Sequence, residues 1–204
     1  MFIYKIPSFI QKLFPAYTWK VNTRDKQLFL TFDDGPHPKI TPWVLHLLSQ
    51  FGAKATFFCV ADNVKKYPEV FAQILAEGHA VGNHTFRHLN GYKHTCSEYI
   101  ADVKHAEKYI DSTLFRPPYG KIKRSQAKAL LPNYKIVMWD RLSADYDKNL
   151  NIPESTAEMK KVENGSIVVF HDSEKAFANL QLMLPNLLLN YSNRGFQFCC
   201  IAPK

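Results

Sequence analysis

The sequence predicts an α/β fold, in which a parallel sheet is covered by helices within a single domain. Short apolar segments of strand length alternate about seven times with longer amphipathic segments. Continuous apolar strands are typical of a parallel sheet buried on both faces, either a barrel or a doubly wound open sheet. No repeat, low-complexity block or Gly/Ser linker interrupts residues 25–204, and 204 residues is a length suited to one domain.

Turn and cap residues mark the elements of the first half. The apolar segment Leu28–Phe32 is followed at once by an Asp-Asp-Gly-Pro turn. Thr41 and Pro42 are typical of an N-cap and a first helical position, and Gly52 is typical of a helix end. The same reasoning predicts strands at Ala55–Val60, His79–Gly82 and Thr113–Arg116, and helices from Pro68 to Gly78 and over Ser97–Asp111.

The second half continues the alternation. Helices are predicted near Ser125–Leu131, around Pro153–Glu163 and over Ala176–Tyr191, and strands at Lys135–Trp139, Ser166–Phe170 and Gly195–Ile201. In barrels and doubly wound sheets alike, the active site lies at the carboxyl ends of the strands. The residues that directly follow each strand are therefore the first candidates for chemistry.

Residues 1–24 are predicted to form an N-terminal arm in front of the domain of residues 25–204. Ile6–Phe14 has the pattern of a short amphipathic helix, which we expect to pack on the domain rather than on a membrane. No leader with a long apolar region is visible, and runs such as Ile167–Phe170 are far shorter than the ~20 residues of a transmembrane helix. We expect a cytoplasmic or membrane-peripheral location rather than classical secretion.

The chain is basic, with 26 Lys and Arg residues against 18 Asp and Glu residues and a formal charge of +8. These charges form no run of five, and no nucleic-acid-binding signature interleaves with them. We therefore expect a solvated surface or weak steering of an anionic partner, and no nucleic acid. The four cysteines lack CxxC spacing, which excludes a zinc ribbon or thioredoxin motif.

Ionisable side chains follow nearly every predicted strand. Because the carboxyl ends of parallel strands meet at one edge, we expect these side chains to converge. In chain order they are Asp33 and Asp34, Asn83 and His84 with His88 four residues on, Arg116, Asp140 and Asp145, and His171 and Asp172.

Two of these histidines, His84 and His88, have the spacing of metal ligands. At i and i+4 on a helical turn, both rings face the same side and bind one cation. A carboxylate from Asp33 or Asp34 completes a set of two histidines and one acid that leaves a position open for water. This set fits Zn²⁺ best, with Co²⁺, Ni²⁺ and Fe²⁺ as alternatives. The second acid is then free to face the water.

The remaining strand-end residues supply proton transfer. A base beside a cation must be held ionised, and Arg116 is the one arginine at a strand end that offers a bidentate pairing. A leaving amine needs a proton, which His171 is placed to donate. Asp145 is placed to fix the tautomer of that imidazole and to raise its pKa. The set predicts metal-assisted hydrolysis with a separate base and acid.

Five motifs in this order resemble the polysaccharide deacetylases of carbohydrate esterase family four, which include the chitooligosaccharide deacetylases. They are Thr31-Phe-Asp-Asp-Gly-Pro36, His84-Thr-Phe-Arg-His88, Arg116-Pro-Pro-Tyr-Gly120, Ser143-Ala-Asp-Tyr146 and Val168-Val-Phe-His171. The resemblance implies a distorted (β/α)7-type barrel and the removal of acetyl groups from N-acetylated sugars. By position, Asp33 resembles the catalytic base and Arg116 the residue that pairs with it, while the metal ligands correspond to Asp34, His84 and His88.

The resemblance also assigns the other side of the site. His171 is similar to the acid that protonates the amine, with Asp145 as its partner, and the backbone N–H of Tyr119 resembles the donor to the oxyanion. Two positions depart from the family. Tyr146 stands where tryptophan is usual and Val169 where leucine is usual, and both positions line the acetyl pocket in the family, so these residues bear on acyl-group preference.

The leading hypothesis is a metal-dependent hydrolase that removes N-acetyl groups from N-acetylglucosamine units of chitooligosaccharide or peptidoglycan and releases acetate. One alternative keeps the chemistry but acts on a small amide or on an O-acetyl ester such as acetylxylan. Another is an inactive carbohydrate-binding protein. We expect an N-acetylated glycan as the partner, Zn²⁺ as the ion and a monomer as the working form.

Overall fold

Seven parallel strands form the main sheet, in the order β5-β4-β3-β2-β1-β7-β6, and an eighth pairs with the start of the central strand. The computed structural model describes residues 4–204, and residues 1–3 of the predicted arm lie outside the described residues. The strands are β1 (Gln27–Asp33), β2 (Thr56–Cys59), β3 (Ala80–Asn83), β4 (Leu114–Phe115), β5 (Lys135–Ile136), β6 (Arg141–Leu142), β7 (Ile167–His171) and β8 (Gln197–Phe198).

Helices connect the strands and cover the sheet. They are α1 (Ser8–Leu13), α2 (Ile40–Gln50), α3 (Ala61–Lys66), α4 (Pro68–Ala76), α5 (Cys96–Ala106), α6 (Arg124–Leu130), α7 (Ile152–Met159) and α8 (Phe177–Asn193), with short 3-10 turns at Gly91–Lys93 and Pro118–Gly120. Within residues 4–204, every helix is too short or too polar to cross a bilayer.

The central strand β1 carries the core and fixes the position of the site. Leu28, Leu30 and Phe32 are fully buried, and the Phe32 ring stacks on Phe57 of β2 at 5.0 Å and on Phe170 of β7 at 6.1 Å between centroids. Burial of such side chains contributes about 1.5–3 kcal/mol each. The end of β1 is thereby held at the middle of the carboxyl edge of the sheet.

The described part of the N-terminal arm pairs with both outer strands of the open barrel. Thr18 bridges to Val137, just after β5, and the Met138 N–H donates to the Thr18 carbonyl at 2.8 Å. Nearer the N-terminus, Lys5 bridges to Arg141 of β6 in antiparallel orientation. Residues 4–24 thus pack on the domain, although α1 itself contributes no buried residue.

The predicted fold class is confirmed, but the sequence missed two elements. The strand β6 and the helix α3 are absent from the prediction because each is short. Of the strand predicted at Gly195–Ile201, only β8 (Gln197–Phe198) is observed, and it pairs with β1 outside the seven-strand order of the main sheet. The seventh strand of that order is β6.

Several predicted boundaries were wrong by a few residues. The helix predicted over Ser97–Asp111 ends at Ala106. Thr41 is not the N-cap of α2, which begins at Ile40 after Lys39. Its hydroxyl instead accepts from the His37 N–H at 2.8 Å and donates to the Asp172 carboxylate, because a buried acid lies beside it.

Candidate active site

A cavity of about 510 Å³ opens at the carboxyl edge of the sheet. Eight of the ten predicted site residues line it, namely Asp33, Asp34, His84, His88, Tyr119, Tyr146, Val169 and His171. The other two, Arg116 and Asp145, are fully buried and contact Asp33 and His171 from behind. The strands therefore bring every predicted site residue to one place, as expected for the carboxyl ends of parallel strands.

Asp33 is held by a completely buried arginine. Nη1 of Arg116 lies 2.7 Å from Oδ1 of Asp33 and 2.7 Å from the Thr31 hydroxyl. Nη2 donates to the Met138 carbonyl at 2.9 Å and Nε to the Val137 carbonyl at 3.2 Å. The predicted bidentate pairing is wrong, because the second side of the guanidinium is bound to backbone. A charge-assisted bond to an arginine favours the ionised carboxylate.

Arg116 reaches this position across the sheet from β4. Its guanidinium carbon lies 4.1 Å from the centroid of the Phe58 ring, which packs on one face of the group. The apolar stack and four hydrogen bonds leave the guanidinium a single orientation. Residues far apart in the chain therefore aim the carboxylate.

Asp34, His84 and His88 form a cluster whose donor atoms all lie within 4.8 Å of one another. Oδ1 of Asp34 is 3.0 Å from Nε2 of His88 and 3.8 Å from Nε2 of His84. Burial, reinforced by the neighbouring His88 and outweighing the nearby acids, lowers the pKa of His84 to about 4. The neutral imidazole is the form that binds metal.

Each histidine of this cluster has a partner on its other ring nitrogen. Nδ1 of His84 lies 2.8 Å from the Arg116 carbonyl, and Nδ1 of His88 lies 3.1 Å from the Tyr119 hydroxyl. Such bonds fix the tautomer so that Nε2 is free to bind an ion. Burial tends to raise the pKa of Asp34, but the hydrogen bond to His88 and the nearby imidazoles lower it below its usual value. The donor set fits a divalent cation.

The two histidines lie on a loop and not on the predicted helical turn. Thr85 and His88 have φ angles of 65° and 56°, which no helix allows. Two buried acceptors shape this loop: Oδ1 of Asn83 accepts from the Thr85 N–H, and Oδ2 of Asp102 accepts from the Phe86 and Arg87 N–H groups. The i, i+4 spacing thus correctly predicted that the two rings lie close together, but a loop and not a helical turn brings them there.

Backbone strain is concentrated at the site. Asp34, Tyr119 and Ala144 have φ angles of 81°, 61° and 59°, in the left-handed region that disfavours residues with a Cβ. Each such residue costs about 1–3 kcal/mol and persists where surrounding contacts determine it. The strained residues fall in the predicted motifs, so the fold stores local strain where it positions functional groups.

His171 and Asp145 form the second buried pair. Oδ1 of Asp145 lies 2.7 Å from Nδ1 of His171, and its Oδ2 accepts from the His171 N–H at 2.9 Å. Burial alone tends to lower the pKa of His171, but the adjacent Asp145 carboxylate outweighs it and raises the pKa to about 9. The imidazole is therefore a proton donor at neutral pH.

Leu142, Tyr146 and Val169 line one part of the cavity wall. Val169 of β7 is paired in register with Leu142 of β6, and both line the cavity. The Tyr146 ring lies edge-on to His171, with 5.1 Å between centroids. Leu142 was missed by the sequence analysis because β6 was not predicted.

Asp172 is a further buried acid that the sequence placed at the rim without a role. Its carboxylate accepts from the Gly35 N–H at 3.1 Å and from the Thr41 hydroxyl. Burial raises the pKa of Asp172 to about 7. A Cβ on Gly35 would lie 2.1 Å from Oδ2 of Asp172, so only glycine fits the turn. Asp172 thereby positions the turn that carries Asp34.

Three other polar residues, Asp140, His37 and Tyr92, lie outside the cavity wall. Asp140 accepts from the Ser166 hydroxyl at 2.9 Å and the Ile167 N–H at 2.8 Å, joining β6 to β7 rather than lining the cavity. Nδ1 of His37 accepts from two backbone N–H groups of its own turn. Tyr92 is 60% exposed and is not part of the cavity wall.

Comparisons with known proteins agree with this geometry. The family model for polysaccharide deacetylases matches residues 20–133. The chain is 33% identical over 193 residues to a peptidoglycan-N-acetylglucosamine deacetylase of Bacillus cereus, covering 91% of each chain. It is 28% identical to the peptidoglycan-N-acetylmuramic acid deacetylase PdaC of Bacillus subtilis, covering 89% of this chain and 39% of PdaC. The crystal structure of the Bc1960 peptidoglycan N-acetylglucosamine deacetylase superposes with a TM-score of 0.77 at 28% identity, covering 96% of this chain and 95% of that one.

Proposed function

The chain belongs to the polysaccharide deacetylase family, and on that premise we propose that it removes N-acetyl groups from N-acetylglucosamine units of peptidoglycan or chitooligosaccharide. The reaction is hydrolysis: water adds to the amide carbonyl, the C–N bond breaks, and acetate and a free amine leave. The Bacillus cereus relative is named for this activity on peptidoglycan.

The observation that carries the proposal is the pairing of two supported side chains at adjacent strand ends. Asp33 and His171 are register partners on β1 and β7. Nη1 of Arg116 donates to the Asp33 carboxylate at 2.7 Å, and the Asp145 carboxylate raises the pKa of His171 to about 9, so that the imidazole carries its proton at neutral pH. A carboxylate that accepts a proton and an imidazolium that donates one are what amide hydrolysis requires.

Asp34, His84 and His88 would hold a divalent ion, which would supply a Lewis acid to activate water and polarise the carbonyl. Zn²⁺ is the ion we propose, since two imidazoles and one carboxylate suit it best. Asp33 accepts the proton of the attacking water, and His171 donates a proton to the leaving amine. The backbone N–H of Tyr119 donates to the developing oxyanion, a contact worth roughly 10²–10³ in rate.

The proposal is tested by acetate release from a panel of N-acetylated glycans, with acetylxylan and small acetamides as competing substrates. We expect Asp33→Asn to lower kcat by about 10²–10⁴. Because the change leaves the buried Arg116 charge unpaired, it should also lower the free energy of unfolding, so kcat is measured on protein shown to be folded by circular dichroism. Removal of metal with a chelator is expected to abolish acetate release, and Zn²⁺ to restore it. Full activity in Asp33→Asn or in the stripped protein contradicts the mechanism, and acetate release from acetylxylan alone contradicts the substrate.

Two further parts of the proposal concern the setting of the enzyme. We propose that it works as a monomer, since the cavity is formed within one chain. We also propose a cytoplasmic or membrane-peripheral location. Sedimentation of the purified protein tests the first, and fractionation of cells tests the second.

A further inference from the structure

Two lysines stand on the wall of the catalytic cavity, and neither has an acidic partner among residues 4–204. Lys121 directly follows the Tyr119-Gly120 turn, on the side of the metal ligands. Lys175 precedes α8, on the side of His171. The family motifs contain neither residue. Both side chains are exposed to the solvent of the cavity.

Lys175 is held beside the proton donor by an aromatic contact. Its Nζ lies 5.2 Å from the centroid of the Tyr146 ring, and that ring contacts His171 edge-on at 5.1 Å. An ammonium over an aromatic face is attracted by about 0.5–1 kcal/mol at an exposed site. The departure from tryptophan at Tyr146 keeps this aromatic face, so the charge of Lys175 stays near the leaving group.

The acids of the site are already paired within it. Asp33 contacts Arg116, Asp145 contacts His171, and Asp34 contacts the two histidines of the metal cluster. The cavity wall also carries two ammonium groups that form no salt bridge with a carboxylate of residues 4–204. Such a local excess of positive charge attracts ligands of the opposite charge.

We propose that Lys121 and Lys175 select glycans that carry an anionic substituent, a carboxylate or a phosphate, next to the acetylated amine. The inference rests on the proposed function and narrows its substrate class. A neutral chitin oligosaccharide makes no use of either charge, whereas an anionic neighbour of the reacting sugar pairs with one or both.

The test compares deacetylation of three matched tetrasaccharides: neutral N-acetylchitotetraose, a form with lactyl ether carboxylates, and a form with phosphate esters. The readout is the ratio of kcat/KM for each anionic glycan to that for the neutral one. We expect the wild type to prefer at least one anionic glycan, and the preferred one identifies the substituent. Lys175→Gln and Lys121→Gln are each expected to lower that ratio about 5-fold, as for one exposed ion pair. Lys128→Gln, an exposed lysine of α6 away from the cavity, is the matched control and retains the ratio.

The outcomes separate this inference from the proposed function. A wild type that deacetylates all three glycans with equal kcat/KM overturns the inference and leaves the deacetylase function intact. The same holds if Lys175→Gln lowers kcat/KM equally on all three, because the lysine then acts through Tyr146 and His171. If no glycan releases acetate, the proposed function fails and the inference with it. A preference that weakens as ionic strength rises supports it.

Discussion

On each side of the active site, a catalytic side chain is paired with a buried residue of opposite charge: Asp33 with Arg116 on the base side, and His171 with Asp145 on the acid side. The two pairs differ in how many other groups hold them in place. On the base side, a fully buried arginine bonds to two side chains and two backbone carbonyls contributed by β1 and the segment after β5. On the acid side, the Asp145 carboxylate makes two hydrogen bonds, both with His171. The base side is thus part of the core, and the acid side is a local pair.

This difference predicts that the two pairs affect different properties, the stability of the fold on one side and the pH dependence of activity on the other. Removal of one partner of a buried ion pair leaves an uncompensated charge, whose cost rises with the number of groups arranged around it. The arm adds to this on the base side, since Thr18 pairs with Val137, whose carbonyl accepts a hydrogen bond from Nε of Arg116. We expect substitutions on the base side to affect folding and catalysis together, and substitutions on the acid side to change mainly the pH dependence.

The largest effect is expected from Arg116→Met. The change leaves the Asp33 carboxylate without its cation and three hydrogen-bond acceptors without a donor. We expect it to lower the free energy of unfolding by about 3–5 kcal/mol. Urea denaturation measures this, and acetate release measures the accompanying loss of activity. Arg116→Lys retains the charge without the planar group, so it should recover part of the stability and little of the activity.

Arg87→Gln is the matched control for this prediction. It breaks another arginine–aspartate pair, with 2.7 Å between Nε of Arg87 and Oδ1 of Asp102, but the arginine side chain is 66% exposed. We expect a smaller loss of stability than in Arg116→Met, because the buried Asp102 carboxylate keeps two backbone N–H donors when the exposed arginine is removed. Equal stability losses in Arg116→Met and Arg87→Gln contradict the distinction between a buried arginine and an exposed one.

The second prediction concerns pH. With the pKa of His171 raised to about 9, activity should decline only as pH rises through 9, where the acid loses its proton. In Asp145→Asn the carboxylate that opposes the effect of burial is gone, so the pKa of His171 should fall from about 9 towards its usual range and the decline should begin at lower pH. The pH profile of kcat/KM measures this shift.

The raised pKa of His171 also makes the free energy of unfolding depend on pH. A group whose pKa is higher in the folded state stabilises the protein fully below pH 6.5 and loses that contribution as pH rises to about 9. Asp145→Asn should therefore lose the pH dependence of unfolding between these values. Asp147→Asn removes a nearby acid that makes no contact with His171 and serves as the control. An unchanged alkaline decline in Asp145→Asn contradicts the assignment of the acid.

The smallest effect is expected at the metal cluster, where the Tyr119 hydroxyl contacts Nδ1 of His88. Tyr119→Phe keeps the backbone donor and removes this contact. We expect metal affinity to fall about 10-fold, as is typical for a group that orients a ligand. Competition with a chromogenic chelator measures the dissociation constant, and Tyr92→Phe, an exposed tyrosine outside the cavity, is the control. An unchanged dissociation constant in Tyr119→Phe contradicts a positioning role.

The sequence predicted the site residues at the strand ends better than the strands and buried side chains that support them. Asp33, His84 and His171 each directly follow or end a strand, and strand ends are local features that turn residues reveal. The strand β6 has only two residues, so no periodicity marks it. Asp102 is a helical acid with no local sign that its carboxylate shapes the loop of the metal ligands from within the core.

By itself, the sequence determined the parallel α/β architecture and the set of residues at its carboxyl edge, because strand patterns and motifs depend only on residues that are close together in the chain. Only the tertiary structure decided how those residues are held. Arg116 contacts Asp33 across 83 positions, the arm pairs with both outer strands, and the charge of Lys175 meets Tyr146 at the cavity wall. Such contacts depend on chain closure in three dimensions, which no local pattern encodes.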